Sequence, residues 1–220
     1  RCHGAAPRHA GPPRRLVTPD GLQALLDAQL SRLLPAGLTW ALRPAQEDPD
    51  ALYPSEAQAI ARAVPKRRAE FTGGRVAARA VLAALDMAPV GVPPDADRVP
   101  VWPRNIRASI SHAGGLCLAV AGHASTWAAV GVDLEVAPPL DAAMADLVAL
   151  PAELAEAAGA HDSGRHALRL FSAKEAAYKA QFPHTRTLYG FHGMRVTFDG
   201  PKGGHVVYAD HPEVAGIAPG

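Results

Sequence analysis

Apolar residues along the chain recur with two periods, which predicts helices separated by short strands. A spacing of three and four residues predicts a helix over "GLQALLDAQLSRLL" and another over "PKRRAEFTGGRVAARAVLAAL", which Pro65 would begin at its first position. The same spacing predicts a helix over "EAQAIARAV", capped by Ser55, and a long helix from about Arg165. Two shorter helical segments, "LDAAMADLVAL" and "PAELAEAAGA", are predicted before the long helix.

Alternation of apolar and polar residues marks the predicted strands. A short strand is expected over "LPAGLTWALRP", and "ASISH" and "LCLAVAG" are expected to flank the turn "AGG" as an antiparallel hairpin. Another strand is expected over "TWAAVGVDLEV", followed late in the chain by a hairpin of "GMRVTFDG" and "GHVVYAD". The Pro-rich segment "MAPVGVPPDADRVPVWP" is too irregular for either element and is predicted to be a loop.

The order of these elements predicts an α+β fold of two similar halves, residues 16–125 and residues 126–220. Each half would be a small, mainly antiparallel sheet packed on a long helix. Residues 1–15 contain no apolar signal core and are expected to form a frayed tail. The C-terminal residues contain Gly and Pro, and among them "VAGIAP" could supply a closing strand.

Composition narrows the class of protein. With 48% hydrophobic and 20% charged residues, and without a long uninterrupted apolar run, the chain is expected to be soluble and not membrane-bound. Its 22 Lys and Arg nearly balance its 21 Asp and Glu, so no overall basic field would draw it to nucleic acid. The two cysteines have neither metal-site nor disulfide spacing, which favours a reducing cytoplasm.

Two carboxylates, Asp133 and Glu135, fall on one face of the strand predicted over "TWAAVGVDLEV". Like charges this close repel unless a cation lies between them, and a hard divalent ion such as Mg²⁺ takes oxygen ligands of this kind. The alternative is that the strand ends at the surface, just before Pro138 and Pro139, with both acids in solvent. The pair alone does not decide between these interpretations.

A further acidic position lies in the long helix, where Glu175 and Lys179 are one turn apart. Lys174 and Tyr178 lie on the adjacent face. An ordinary intrahelical ion pair would also explain this spacing. The apolar residues around the pair, such as Phe171, argue instead for a site, because a solvated pair needs no such surroundings.

Candidate phosphate contacts come from the first hairpin and from the helix before it. Ser111 and His112 lie next to the Gly-rich turn, where hydroxyl, imidazole and free amide groups can hold phosphate oxygens. A surface hairpin with a capping histidine is the alternative. Arginines on the preceding helix form a stripe that is either a solvated basic face or a further phosphate site. They are Arg68, Arg75 and Arg79, with Arg67 about one residue round from the stripe.

Together these groups fit phosphoryl chemistry on a nucleotide-like substrate. They offer a divalent metal site, a lysine and a histidine for phosphate oxygens, and arginines for a further phosphate. The chain contains no G-x-x-x-x-G-K-[ST] loop and no G-x-G-x-x-G after a strand, so the usual nucleotide-binding loops are absent. It also lacks the G-x-S-x-G pattern that would indicate acyl hydrolysis.

Six sequence blocks resemble those of one family. In order, they are "KRRAEF..GR..AR", "P.WP", "SISH", "GVDLE", "FSAKEAAYKA" and "YGF", within residues 64–198. Their content and order are similar to those of the 4′-phosphopantetheinyl transferases of the Sfp-like class, in particular the enterobactin-synthetase-component and actinobacterial subgroup. Two positions depart from the family pattern: Ala108 stands where glycine is usual, and Phe171 where related subgroups carry tryptophan.

The resemblance implies a pseudo-twofold monomer with coenzyme A in the cleft between the halves. It implies transfer of the 4′-phosphopantetheine arm of coenzyme A to a serine of an apo carrier protein, with release of adenosine 3′,5′-bisphosphate. The reaction would depend on Mg²⁺, which Mn²⁺ could replace. The partners would be acyl, peptidyl or aryl carrier proteins of fatty acid, polyketide or nonribosomal peptide synthases, including those that make siderophores.

The resemblance also assigns site residues. Asp133, Glu135 and Glu175 would be the metal ligands, with the backbone of Leu134 near the ion, and Lys179 would bind the pyrophosphate. Glu175 could also accept the proton of the carrier serine, directly or through a metal-bound water. The further contacts to coenzyme A would be Ser111 and His112 at the phosphates, Arg67 and Arg75 at the 3′-phosphate, Arg98 and Pro100 along the adenine, and Tyr189 beside the pantetheine arm.

Two other functions stay open at this point. One is a coenzyme A or carrier-protein binding module without catalysis, against which the presence of Asp133, Glu135, Glu175 and Lys179 together argues. The other is a metal-dependent nucleotide phosphohydrolase, which would use the same metal site but no carrier protein.

Overall fold

The computed structural model describes residues 19–156, 162–200 and 203–208, and within them the side chains from residue 24 onward. Helix α1 (Pro19–Leu33) belongs to one compact unit, and the chain from Leu34 onward belongs to a second. The helix predicted over "GLQALLDAQLSRLL" is thus confirmed. The predicted tail at residues 1–15 and the candidate strand "VAGIAP" lie outside the described residues.

The first half of the larger unit is a three-stranded antiparallel sheet packed on one long helix. Its elements are β1 (Thr39–Pro44), α2 (Pro54–Ala59), α3 (Pro65–Ala83), β2 (Ile106–Ala113) and β3 (Leu116–His123). The strand order β1-β3-β2 places β3 in the centre, where residues 117–122 are all buried. Helix α3 covers the sheet with Ala77, Ala78, Val81 and Leu82, whose small side chains allow close packing. The first hairpin and the start of α3 at Pro65 are as predicted.

Within the described residues, the second half contains three α-helices and a two-stranded antiparallel sheet. Its elements are α4 (Ala142–Val148), α5 (Pro151–Ala155), α6 (Ser163–Thr185), β4 (Met194–Phe198) and β5 (Gly204–Tyr208). Val148, Leu170 and Val196 form the centre of a small core between α4, α6 and β4. The α+β fold with small antiparallel sheets on long helices is therefore confirmed. Among the described helices, none combines the length and the apolar character needed to cross a membrane.

The segment before α4 is not the strand that alternation predicts. Residues 127–141 contain neither strand nor helix, and within the described residues β2 pairs with β3 alone. The segment instead lies so close to α6 that a Cβ on Gly131 would be 1.9 Å from the carbonyl oxygen of Ala176. The alternation still places the two carboxylates together, because Asp133 and Glu135 line one cavity. The predicted strand is wrong, since contact with a helix takes the place of strand pairing.

The predicted cap of α2 is also wrong. The helix begins at Pro54, after Tyr53, so Ser55 lies within its first turn and not at its cap. The backbone N–H of Tyr53 donates instead to the Glu56 carboxylate, 2.9 Å away, and Glu56 is completely buried. A carboxylate that accepts from the residue three positions earlier satisfies a free N–H at the helix start without a capping hydroxyl.

Candidate active site

Helix α6 and the segment before α4 meet at an ion pair. Lys179 on α6 donates from Nζ to Oδ1 of Asp133 at 2.6 Å, and the Asp133 side chain is only 5% exposed. This approach depends on Gly131, because a side chain there would collide with the backbone of α6. Two residues 46 positions apart in the chain are thereby brought into contact.

Both oxygens of the Asp133 carboxylate accept hydrogen bonds from serine hydroxyls. Ser111 on β2 donates to Oδ1 at 3.0 Å, and Ser172 on α6 donates to Oδ2 at 2.9 Å. One serine from each half therefore fixes the orientation of this carboxylate. Sequence reasoning missed Ser172, although it precedes Glu175 by three residues and so lies on the same part of the helix surface.

The Ser111 hydroxyl makes all of its hydrogen bonds within the protein. Besides donating to Asp133, it accepts from the backbone N–H of Leu134 at 3.2 Å and from Nζ of Lys179 at 3.0 Å. A hydroxyl has one proton and two lone pairs, so these three bonds occupy it completely. The phosphate contact predicted for the Ser111 side chain would require one of them to be exchanged, and it stays a prediction.

Three carboxylates share a cavity of about 230 Å³ with Lys179, namely those of Asp133, Glu135 and Glu175. Burial raises the pKa of Glu135, and the nearby Asp133 charge raises it further, against the opposing effect of Lys179. Burial also raises the pKa of Glu175, with Lys179 lowering it and the other two carboxylates raising it. The cavity thus contains more negative charge than one lysine neutralises.

This excess of negative charge, together with the carboxylate oxygens, fits a hard divalent cation. Within the part of the chain that the structure describes, no three His, Cys, Asp or Glu side chains are already arranged to hold a metal ion. Lys179 neutralises Asp133 here. The carboxylates therefore suit a cation by their chemistry and their shared cavity, and not by preset ligand distances.

His112 connects this cavity to the first half. Nη1 of Arg67 lies 3.0 Å from Nε2 of His112, and Nδ1 of His112 lies 3.6 Å from Oε2 of Glu70. Because a guanidinium can only donate, Nε2 accepts and the ring proton is on Nδ1. Burial lowers the pKa of His112; Glu70 opposes this effect, while Arg67 and Lys179 add to it. The imidazole is thus held neutral, and sequence reasoning missed Glu70 as its neighbour.

A larger cavity of about 590 Å³ lies beside the first and is lined by both halves. His112 and Lys179 line both cavities, so the two adjoin. A volume in this range accommodates a nucleotide-sized ligand. Besides His112 and Lys179, four further predicted substrate contacts line it: Arg67, Arg75, Arg98 and Pro100. Its apolar wall includes Phe71, Trp102, Ile110, Tyr178 and Phe182.

Arg75 is a buried cation in the wall of the larger cavity. It is 5% exposed, its guanidinium lies 4.0 Å from the centre of the Phe71 ring, and its Nε makes no hydrogen bond within the described residues. Burial lowers the pKa of Arg75 to about 10, although Glu56 raises it. A buried guanidinium with an unused donor favours an anionic ligand. The arginine stripe is therefore not simply a solvated face.

The loop that carries Arg98 and Pro100 is tied to the end of α6. Within the loop, Asp95 accepts from the backbone N–H of Asp97 at 2.9 Å. Arg186, which follows α6, donates to Asp95 at 2.7 Å and to Asp97 at 2.9 Å. These ion pairs connect the loop, which belongs to the first half and lines the larger cavity, to the end of α6 in the second half.

Tyr189 lines neither of the two cavities. Its ring packs edge-on against Tyr208, with 5.5 Å between the ring centres. The contact predicted between Tyr189 and the pantetheine arm therefore stays a prediction. The backbone N–H of Leu134 donates to Ser111, and the predicted place of the Leu134 backbone near an ion likewise stays a prediction.

Comparisons with known proteins match both halves of the chain. The 4′-phosphopantetheinyl transferase N-terminal domain family matches residues 55–122, and the 4′-phosphopantetheinyl transferase superfamily matches residues 129–215. The 4′-phosphopantetheinyl transferase Npt of Nocardia iowensis is 38% identical over 172 residues, which cover 77% of each chain. The 4′-phosphopantetheinyl transferase PptT of Mycobacterium tuberculosis is 38% identical over 155 residues, 69% of this chain and 68% of the relative. Enterobactin synthase component D of Escherichia coli K12 is 37% identical over 119 residues, 52% of this chain and 55% of the relative.

Proposed function

Because the chain belongs to the 4′-phosphopantetheinyl transferase superfamily, we propose that it transfers the phosphopantetheine arm of coenzyme A to a serine of an apo carrier protein. The observation that carries this proposal is the junction of the two cavities at Lys179 and His112. An acidic cavity suited to a cation meets a basic cavity suited to a nucleotide there. Phosphoryl transfer from a nucleotide-containing substrate needs both, side by side.

We place coenzyme A in the larger cavity. Arg75, which is buried and has an unused donor, would bind the 3′-phosphate together with Arg67. The loop of Arg98 and Pro100 would lie along the adenine, whose face suits the aromatic wall of the cavity. His112, at the junction, would face the phosphates. This arrangement directs the pyrophosphate toward Lys179 and the acidic cavity.

Asp133, Glu135 and Glu175 would hold Mg²⁺, or Mn²⁺ in its place, with the backbone of Leu134 nearby. The raised pKa values of Glu135 and Glu175 support this assignment, because burial and the neighbouring carboxylates both disfavour the charged form, which a bound cation would favour. When bound, the ion would neutralise negative charge that develops on the pyrophosphate during transfer.

In the proposed reaction, the serine hydroxyl oxygen forms a bond to the phosphorus that carries the pantetheine arm. The bond from that phosphorus to the bridging oxygen breaks, and adenosine 3′,5′-bisphosphate leaves with the electron pair. Glu175 would accept the serine proton, which its raised pKa favours. Lys179 would redirect its ammonium group from Asp133 to the leaving phosphate.

We propose carrier proteins of fatty acid, polyketide or nonribosomal peptide synthases as partners. Residues 16–125 and 126–220 would be the two halves, which the separate family matches at 55–122 and 129–215 support. We propose a monomer as the working unit, as the family resemblance implies. The free thiol of Cys117 supports a cytoplasmic location.

The proposal is tested by incubating the protein with coenzyme A, Mg²⁺ and an apo carrier protein, and then weighing the carrier by mass spectrometry. We expect a gain equal to the phosphopantetheine arm, and no gain on a carrier whose acceptor serine is replaced by alanine. Binding of coenzyme A without any gain would indicate an inactive binding module. Consumption of coenzyme A without a carrier would indicate a phosphohydrolase.

Arg75→Ala is expected to weaken binding of coenzyme A roughly ten- to a hundredfold, since a charge-assisted contact to the 3′-phosphate is lost. Binding of dephospho-coenzyme A, which lacks that phosphate, should change much less. Isothermal titration with both ligands measures the two losses. Arg104→Ala, an exposed arginine outside both cavities, is the control. Equal losses for the two ligands would contradict a 3′-phosphate role for Arg75.

Ser172→Ala removes the hydroxyl that donates to Oδ2 of Asp133. We expect about a tenfold loss of Mn²⁺ affinity, because the carboxylate is no longer held in one orientation. Electron paramagnetic resonance of free Mn²⁺ measures the affinity, and the affinity for coenzyme A should be unchanged. Ser172→Thr, which retains the hydroxyl, should recover most of the loss. Unaltered Mn²⁺ affinity in Ser172→Ala would show that this hydrogen bond is dispensable.

A further inference from the structure

Two short helices, one in each half, begin with the same kind of sequence: a large side chain, Pro, a small residue and Glu. In α2 the residues are Tyr53 to Glu56, and in α5 they are Leu150 to Glu153. Glu56 and Glu153 are both completely buried, although neither lines either of the two cavities. Buried carboxylates away from the reacting groups need another explanation.

Glu153 connects three elements of the second half. It accepts from the backbone N–H of Leu150 at 2.6 Å, from the backbone N–H of Val196 on β4 at 2.7 Å, and from Nζ of Lys174 on α6 at 2.7 Å. Lys174 is itself completely buried and also donates to the carbonyl of Val148 at 2.9 Å. The pair therefore joins α5, β4 and α6 in one buried polar network.

Glu56 makes the equivalent connections in the first half. It accepts from the backbone N–H of Tyr53 at 2.9 Å, from the backbone N–H of Val92 at 2.6 Å, and from Nη1 of Arg79 on α3 at 3.0 Å. Arg79 also donates to the carbonyl of Ala51, as Lys174 does to Val148. In both halves, the accepting carbonyl belongs to the residue three positions before the first residue of the short helix.

Each network fixes a long helix next to its functional side chains. Lys174 immediately precedes Glu175 and lies five residues before Lys179, while Arg79 follows Arg75 by one helical turn. Successive residues of a helix are about 100° apart, so a small rotation of α6 would turn Glu175 away from the cavity. The same rotation would separate the buried Lys174 from its partners, which is strongly unfavourable.

We propose that Glu153 and Lys174 are positioning residues, which fix the rotation of α6 that brings Glu175 and Lys179 to the acidic cavity. Glu56 and Arg79 fix the rotation of α3 in the same way and so place Arg75 in the larger cavity. The inference rests on the proposed transferase function. It predicts that the two networks affect different steps, the first acting on the metal and the transfer, the second on recognition of the 3′-phosphate.

The test compares two matched double variants, Glu153→Gln with Lys174→Met, and Glu56→Gln with Arg79→Met. Each removes both charges of its pair at nearly constant volume. The second also removes two opposing influences on the buried Arg75, because Glu56 raises its pKa and Arg79 lowers it. We expect the first to lower kcat about tenfold or more and to weaken Mn²⁺ binding, with an unchanged affinity ratio of coenzyme A to dephospho-coenzyme A. The second should bring that ratio toward one, with kcat at saturating coenzyme A altered much less.

The milder variants Glu153→Asp and Glu56→Asp keep the charge and shorten the side chain. If a double variant does not fold, the same two measurements are made on these single variants. All parameters are corrected for the folded fraction, measured by circular dichroism. Variants that lose thermal stability alone, or that change both steps alike, would overturn the positioning role. If the wild-type protein modifies no carrier, the proposed function has failed. If the wild type modifies the carrier but the two double variants do not affect different steps, only the positioning inference is refuted.

Discussion

Asp133→Ala is expected to reduce the rate of arm transfer by about a thousandfold or more. The substitution removes the carboxylate on which Ser111, Ser172 and Lys179 converge, and with it a proposed ligand of the catalytic ion. A metal ion contributes several kcal/mol to such reactions, and each 1.36 kcal/mol of barrier is about a factor of ten in rate. The initial rate of carrier modification, followed by mass spectrometry, gives the size of the loss.

Two controls accompany this variant. Asp146→Asn changes an exposed carboxylate on α4 that lines neither cavity, and it should leave transfer unchanged. Mn²⁺ binding, measured by electron paramagnetic resonance, should fall in Asp133→Ala but not in Asp146→Asn. If Asp133→Ala still turned over within tenfold of the wild type, Asp133 could not be a ligand of the catalytic ion.

Gly131→Ala is expected to abolish measurable transfer and to lower the free energy of unfolding by about 3 kcal/mol. The added Cβ would lie 1.9 Å from the carbonyl oxygen of Ala176 and 2.7 Å from the backbone nitrogen of Ala180. Both atoms belong to the backbone of α6, which cannot rotate away as a flexible side chain could. The segment must therefore separate from α6, and Asp133 must separate from Lys179. Denaturant unfolding and the transfer assay measure the two effects.

Gly190→Ala is the matched control for Gly131→Ala. A Cβ at residue 190 would have nothing within 4 Å, and the backbone there, with φ near −71°, suits any residue. We expect this variant to keep both its stability and its activity. A Gly131→Ala protein as stable and active as Gly190→Ala would mean that the approach of the segment to α6 is not essential.

Elements with a strong internal period could be predicted from the sequence. Helices α3 and α6 bury residues at intervals of three and four, most of them apolar, although α6 also buries Lys174 and Gln181. The first hairpin contains Gly114 and Gly115, which adopt the positive φ that its turn requires. The segment around Asp133 could not be predicted in this way. Alternation of residue types indicates which side chains lie on the same side of an extended segment. Strand pairing also requires a neighbouring strand with free backbone groups, and here the neighbour is helix α6.

The candidate site was predictable to the extent that residue type reveals function. Charged residues inside apolar segments, such as Asp133 and Lys179, were visible in the sequence. Their partners were less so, because Ser172 and Glu70 are ordinary residues until the fold brings them near Asp133 and His112. The buried glutamates Glu56 and Glu153 were missed for the same reason, although the similarity of "YPSE" and "LPAE" was available to find them.

The bond between Lys179 and Asp133 has a consequence for the order in which ligands bind. An ammonium group that turns toward a phosphate gives up its bond to the carboxylate, and the carboxylate then attracts a cation more strongly. Thermodynamic reciprocity requires the bound cation to favour the phosphate by the same factor. The ion pair that neutralises Asp133 in the unliganded protein would therefore make coenzyme A and the divalent ion bind cooperatively, each weakly alone and tightly together.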